Sequence, residues 1–217
     1  MNALQFDTLV HQAAMRNGWD VCEKDEESIG RLLRSTAHPG LLHVFPEGEL
    51  FLIISANEPE RLVVPDALGA VLSALADKEI AAKDNAIPQT EQEHIVKVRS
   101  AQYLYRAALE QLWASKCACT GIDIPELLRA SHAKPWKDCS DSERVDPYNG
   151  FLLEARYDLL FDKGLITFSD EGDIILSPRL NPEAVLLLQI PTNLRIKNIS
   201  SLHYPYLHWH RQHVFQS

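Results

Sequence analysis

The sequence lacks any apolar stretch long enough to span a bilayer. Its longest such run, "AVLLLQI" at 184–190, falls far short of the roughly 20 residues a spanning helix requires. The opening "MNALQFDTLVHQ" has neither a basic n-region nor an uninterrupted apolar h-region, so no signal peptide is expected. Cysteine is scarce: there are four, two of them one residue apart, which makes no disulfide framework. A reduced, cytoplasmic protein without membrane attachment is the expectation. Zinc is not expected either. Cys117 and Cys119 with a distant Cys139 do not give the two C-x₂₋₄-C pairs that structural zinc sites use, and buried reduced cysteines are the simpler reading. Internal repeats and low-complexity segments are missing. So is the composition of a disordered chain, since hydrophobic residues make up 46% and charged residues 24% of 217.

One further absence is local. No acidic residue follows Glu183, whereas Arg195, Lys197, Arg211 and four histidines do. The formal charge of −9 therefore misleads as a global sum. Residues 1–90 hold 7 Lys and Arg against 14 Asp and Glu; residues 91–217 hold 14 against 16. The acidity belongs to the N-terminal part, and the cationic tail leaves nucleic acid open as a partner.

The periodicities predict an α+β chain. "LQFDTLVHQAAMRNG" (4–18) has helical spacing and a stop at Asn-Gly. "LLHVFPEGELFLIIS" (41–55) reads as a hairpin, and "PDALGAVLSALADKEIAAK" (65–83) as a helix entered through Pro-Asp. Residues 1–85 are thus expected to form a small α+β module, in which no chemical motif is visible. "DNAIPQ" (84–89) is the expected boundary. Residues 90–116 predict a long amphipathic helix. Thr90 and Glu93 are spaced as a capping box, and Val96, Leu104, Ala107, Ala108, Leu112 and Trp113 form its stripe. After it come a loop-rich segment with short β-like pieces, then a short helix within 154–168 capped by Gly164. A hairpin over 165–177 and a C-terminal helix or tail complete the chain.

Within this second region three elements are spaced suggestively. His132 lies in "ASHAKPW", Asn149 in "DPYNGFLL", and Asp158 and Asp162 in "ARYDLLFD". Residues at i and i+4 share one helix face, so Asp158 and Asp162 can aim two carboxylates in one direction. A hard cation such as Mg²⁺ is satisfied by one or two carboxylates plus waters.

Taken together, "CACTGIDIPELLRASHAKPW…YNGFLL…YDLLFDKGLITF" resembles the HNH endonuclease family, in particular the branch found in bacterial restriction endonucleases. The tail "YLHWHRQHVF" (206–215) looks like the end of such domains, so the likeness extends over roughly 95–215. The resemblance implies a helix-flanked ββα-metal nuclease domain over 90–217 that hydrolyses DNA. In it His132 is the general base, Asn149 pins the ribbon's loop, and Asp158 and Asp162 bind Mg²⁺ or Mn²⁺. Double-stranded DNA is the implied partner. A homodimer is expected if both strands are to be cut, because two cuts need two sites. The chain departs from the family at Ser131, where many members place an acidic residue or histidine, and at Asp158, where histidine or asparagine is usual.

The bland readings stand beside these. Alone, His132 is a loop histidine, Asn149-Gly150 a turn, and Asp158 and Asp162 a solvated helix face. Lys134, Lys137, Arg144, Arg156 and Arg179 are surface charges, or phosphate contacts if they border His132. Trp113 and Trp136 read as core. "HYPYLHWHRQH" reads as a docking helix end or a DNA-facing patch rather than a metal site. A catalytically impaired HNH-fold binding or regulatory protein is the alternative function, and a nuclease toxin a third.

Overall fold

The computed structural model describes residues 1–24, 29–38, 40–81 and 89–217. The chain divides into two compact units, Met1–Ser100 and Ala101–Ser217. Residues 84–88 of the expected boundary lie outside the described residues.

The first unit opens with helix α1 (Ala3–Arg16), which starts on an Asn2–Gln5 capping box and ends at Asn17-Gly18, as its spacing predicts. An antiparallel meander follows: β1 (Val21–Lys24), β2 (Arg31–Arg34), β3 (Leu41–Glu47), β4 (Leu50–Ser55) and β5 (Arg61–Val63), paired in chain order. The β3–β4 pair is the expected hairpin; β1, β2 and β5 extend it into a five-stranded sheet. A 3₁₀ turn at Pro65–Ala67 leads into α2 (Leu68–Ala81). Strand alternation sends Leu42, Val44, Phe51 and Ile53 into a core with Phe6 and Val10 of α1 and Leu68 and Leu72 of α2. Trp19 closes that core and donates its indole N–H to the Leu72 carbonyl at 2.9 Å. The alternate residues of β3 and β4 are buried too, including His43, Phe45, Leu52 and Ile54.

Helix α3 (Gln89–Leu112) contains the division between the units. It begins one residue before Thr90, so Thr90 is not its cap, and the Glu93 carboxylate pairs with Arg34 instead. The helix stops at Leu112 rather than 116, because Ala114 and Ser115 turn the chain in the left-handed region.

The second unit holds β6 (Leu128–His132), the short helix α4 (Asp141–Val145), β7 (Gly150–Glu154) and α5 (Ala155–Asp162). These are followed by the hairpin β8 (Ile166–Phe168) and β9 (Ile174–Leu176), then α6 (Pro182–Leu187) and α7 (Tyr204–His213). β6 and β7 form a two-stranded antiparallel ribbon, and α5 leaves β7 without an intervening loop. This strand–strand–helix unit is the ββα arrangement that the resemblance implies. Its core joins Tyr105 and Leu109 of α3 to Phe151, Leu153, Phe161 and Phe168. The apolar run at 184–190 falls on α6 and the turn after it, leaving Leu186 and Leu187 exposed. No described helix is long and apolar enough to cross a membrane.

Candidate active site

The ribbon places His132 at the end of β6, opposite Gly150. Gly150 is required there: its φ is +157°, and a Cβ built on it would collide with the Ser131 carbonyl oxygen and the Tyr105 hydroxyl. Eight residues of loop and short helix separate Lys134 from Glu143, and Asn149 ties the two together. Its Oδ1 accepts from the Lys134 amide at 2.9 Å, and its Nδ2 donates to the Glu143 carbonyl at 2.9 Å. The fully buried side chain thus fixes both ends of the loop.

That loop in turn sets the state of His132. Its Nε2 lies 3.0 Å from the Arg144 carbonyl. A carbonyl only accepts, so Nε2 carries the proton and Nδ1 keeps the lone pair. The ring stacks on Tyr105 with centroids 3.7 Å apart and meets Trp136 edge-on. Burial favours the neutral ring and pushes the His132 pKa below its ordinary value, against the Arg144 carbonyl, which pulls it up. The geometry therefore presents a neutral imidazole in one fixed tautomer, able to take a proton at Nδ1.

Asp158 and Asp162 lie one turn apart on α5. The Ser131 hydroxyl donates to the half-buried Asp158 carboxylate. Burial raises the Asp158 pKa first, the nearby Asp162 charge raises it further, and Ser131 and Arg129 pull it down. Two hard carboxylates that repel one another fit a hard cation such as Mg²⁺ or Mn²⁺. Among the described residues, no three His, Cys, Asp or Glu side chains group closely enough to hold a metal between them. A cation held by Asp158 and Asp162 would therefore need waters or substrate oxygens for its remaining positions, which Mg²⁺ tolerates and structural zinc does not.

The five candidate phosphate contacts divide. Lys134 is engaged by the Glu143 carboxylate at 2.7 and 2.8 Å. Arg144 reaches Asp141 at 2.8 Å and the Trp136 carbonyl at 3.2 Å, and lies over the Trp136 ring. Arg156 holds Glu154 at 3.0 Å and the Leu188 carbonyl at 2.8 Å, and Arg179 bonds to Gln216. Lys137 is exposed, in a single 3₁₀ turn.

Three contributors escaped the sequence reading. Tyr105 lies in the predicted helix but outside the stripe read there, and its buried hydroxyl donates to the Ser131 carbonyl at 3.0 Å and the Asn149 carbonyl at 3.1 Å. It bridges the two strands while its ring backs His132. Arg129 is exposed on β6, two residues before Ser131 and so on the same side of the strand, and its charge acts on Asp158. His210, set in a tail that reads as cationic, is fully buried against Phe161 at the end of α5.

With this geometry in view, residues 117–169 match the family model described as HNH endonuclease. The matched segment, about a quarter of the chain, contains His132, Asn149, Asp158 and Asp162. No curated protein matches the chain.

Proposed function

We propose that this protein is a metal-dependent endonuclease that hydrolyses phosphodiester bonds of double-stranded DNA, acting in the cytoplasm in restriction or another defence role. An HNH domain points to a nuclease acting on nucleic acid. The observation that carries the finer reading is the fixed tautomer of His132 within that domain, next in sequence to the Ser131 that holds Asp158.

In this account Nδ1 of His132 removes a proton from water as its oxygen attacks the phosphorus in line with the leaving oxygen. The Arg144 carbonyl holds the ring and stabilises the imidazolium that forms. Asn149 positions the loop that supplies this carbonyl, and Tyr105 supports the ring from behind. Asp158 and Asp162 hold Mg²⁺ or Mn²⁺, which supplies Lewis-acid stabilisation of negative charge at the phosphate. Arg129 and Lys137 lie where phosphate oxygens can add to the binding, while Lys134, Arg144, Arg156 and Arg179 brace the domain. Two copies related by a two-fold axis would cut both strands of a symmetric site.

A second reading, an HNH-fold binding or regulatory protein without catalysis, draws on Ser131. A hydroxyl there donates to Asp158 where many relatives bring a metal ligand. Nicking of supercoiled plasmid with Mg²⁺ or Mn²⁺ separates the readings. The nuclease account expects cleavage by the natural protein and its loss in His132→Ala; binding without cleavage in either metal favours the second. A methyltransferase encoded beside this chain would support the restriction role.

A further inference from the structure

The sequence "CACTG" folds into a turn whose sulfurs the nuclease chemistry does not use. The Gly121 amide donates to the Cys117 carbonyl at 2.9 Å, the Cys117 amide donates to the Ile122 carbonyl at 2.8 Å, and Gly121 sits at φ +78°. Closing the turn brings Cys117 Sγ to 3.6 Å from Cys119 Sγ. Around Cys117 Sγ, donors converge. The Glu154 amide donates to it at 3.2 Å, and the backbone N–H groups of Thr120 and Cys119 also turn to it, while the Thr120 hydroxyl donates to the Glu154 carboxylate at 3.3 Å. A neutral thiol would want an acceptor for its own proton, whereas this cradle of donors suits a sulfur anion. Cys139 shows the contrast: it is also buried, but its thiol donates to the Lys134 carbonyl at 3.1 Å and stays protonated.

We propose that Cys117 and Cys119 form a dithiol that small hydroperoxides oxidise reversibly to an intrachain disulfide. The Cys117 thiolate attacks one peroxide oxygen. The S–O bond forms, the O–O bond breaks, and hydroxide leaves from hydrogen peroxide, or alkoxide from an alkyl hydroperoxide. Cys119 sulfur then attacks the Cys117 sulfenic acid, expelling its hydroxyl, which departs as water with the Cys119 proton. The peroxide is reduced by two electrons and the two sulfurs are oxidised by one each. The hydrogen bond from the Cys119 thiol, with the Thr120 donors, pulls the Cys117 thiol down to about 5 against the opposing effect of burial; Cys119 is raised by the same hydrogen bond. The cover over the buried Cys117 is one turn thick, with Cys119 half-buried and Thr120 and Gly121 exposed, which favours small oxidants. Joining the sulfurs at about 2.05 Å draws Cys117 Sγ from the Glu154 amide. Glu154 is the N-cap of α5, four residues before Asp158, so oxidation reaches the helix that carries both aspartates.

The test uses the full chain, reduced, freed of reductant and treated with hydrogen peroxide. Residues 117–129 form one tryptic peptide, between Lys116 and Arg129. The expected result is that this peptide loses two hydrogens, that two of the four thiols per chain disappear, and that dithiothreitol restores both. Cys119→Ser should stop at the sulfenic acid, giving a dimedone adduct on Cys117. An unchanged 117–129 peptide in the natural protein overturns the proposal, as does oxygen added to it without loss of hydrogen. So does a disulfide that joins Cys22 or Cys139 instead. Because the natural protein alone decides these outcomes, a variant that fails to fold does not protect the idea.

Discussion

Acidification should loosen the second unit in large part through His210, whose pKa is lowered to about 4. Its ring is fully buried, stacked on Phe161 with centroids 3.9 Å apart. Nε2 lies 3.0 Å from the Phe161 carbonyl, so it is the donor, and Nδ1 accepts from the Thr167 hydroxyl at 2.9 Å. Both hydrogen bonds are made by the neutral ring, and a proton on Nδ1 would leave two donors facing each other until Thr167 rotates. Burial is the main cause that pulls the pKa from 6.5 to about 4, opposed by the Phe161 carbonyl and the Asp162 charge. A histidine whose folded pKa lies below its unfolded one binds more protons when unfolded. Its contribution is therefore fully present above pH 6.5 and is lost as pH falls from there towards 4. At 1.36 kcal/mol per unit, the shift amounts to about 3 kcal/mol in full, of which about 2 kcal/mol is lost by pH 5. His210→Gln keeps a donor and an acceptor but does not titrate. Urea unfolding of both proteins between pH 7 and 4.5 should show their stabilities converging, the natural chain falling by about 2 kcal/mol more by pH 5. Parallel curves over that range would refute the reasoning.

Tyr105→Phe keeps the ring beneath His132 but leaves the Ser131 and Asn149 carbonyls without its hydroxyl, so urea unfolding should report a loss of about 1–3 kcal/mol. Asp158→Ala should weaken metal binding and cleavage together, with Mn²⁺ restoring part of the activity if Asp162 retains the ion; a metal titration of plasmid cleavage reads both. Asp162→Ala should do as much only if it too is a ligand. Lys137→Ala should lower DNA affinity and flatten its salt dependence by about one ion, whereas Lys134→Ala should mainly lower the melting temperature, because Lys134 already holds Glu143. Gel-shift titrations at several salt concentrations separate the two.

Much of this arrangement was legible in the residues, and what escaped did so for physical reasons. α1 announced itself by helical spacing and Asn-Gly, and the β3–β4 pair by two β-rich runs around Pro-Glu-Gly-Glu. β1, β2 and β5 are three or four residues long, too short to establish a period, and "VCEK" or "RLLR" gains its strand character from pairing with neighbours. The site showed the same split. His132, Asn149, Asp158 and Asp162 stood out by type and offset. The tautomer of His132 depends on a backbone carbonyl at Arg144, and no side chain advertises a carbonyl. Tyr105 lies 27 residues before His132, on another element, and an aromatic in a helix looks the same whether it fills a core or backs a base. His210 misled because a cationic composition says nothing of which histidine a helix turns inward.

Cleavage of one supercoiled plasmid by the natural protein and by His132→Ala, across Mg²⁺ and Mn²⁺ titrations, tests the central claim most directly. Both proteins must first be shown to be folded and to bind the metal. The account predicts cleavage by the natural chain and a loss of at least ~10²-fold in the variant, with metal and DNA binding retained. Equal cleavage by the two proteins would contradict it, and would make His132 an ordinary ribbon histidine held by Arg144 and Tyr105.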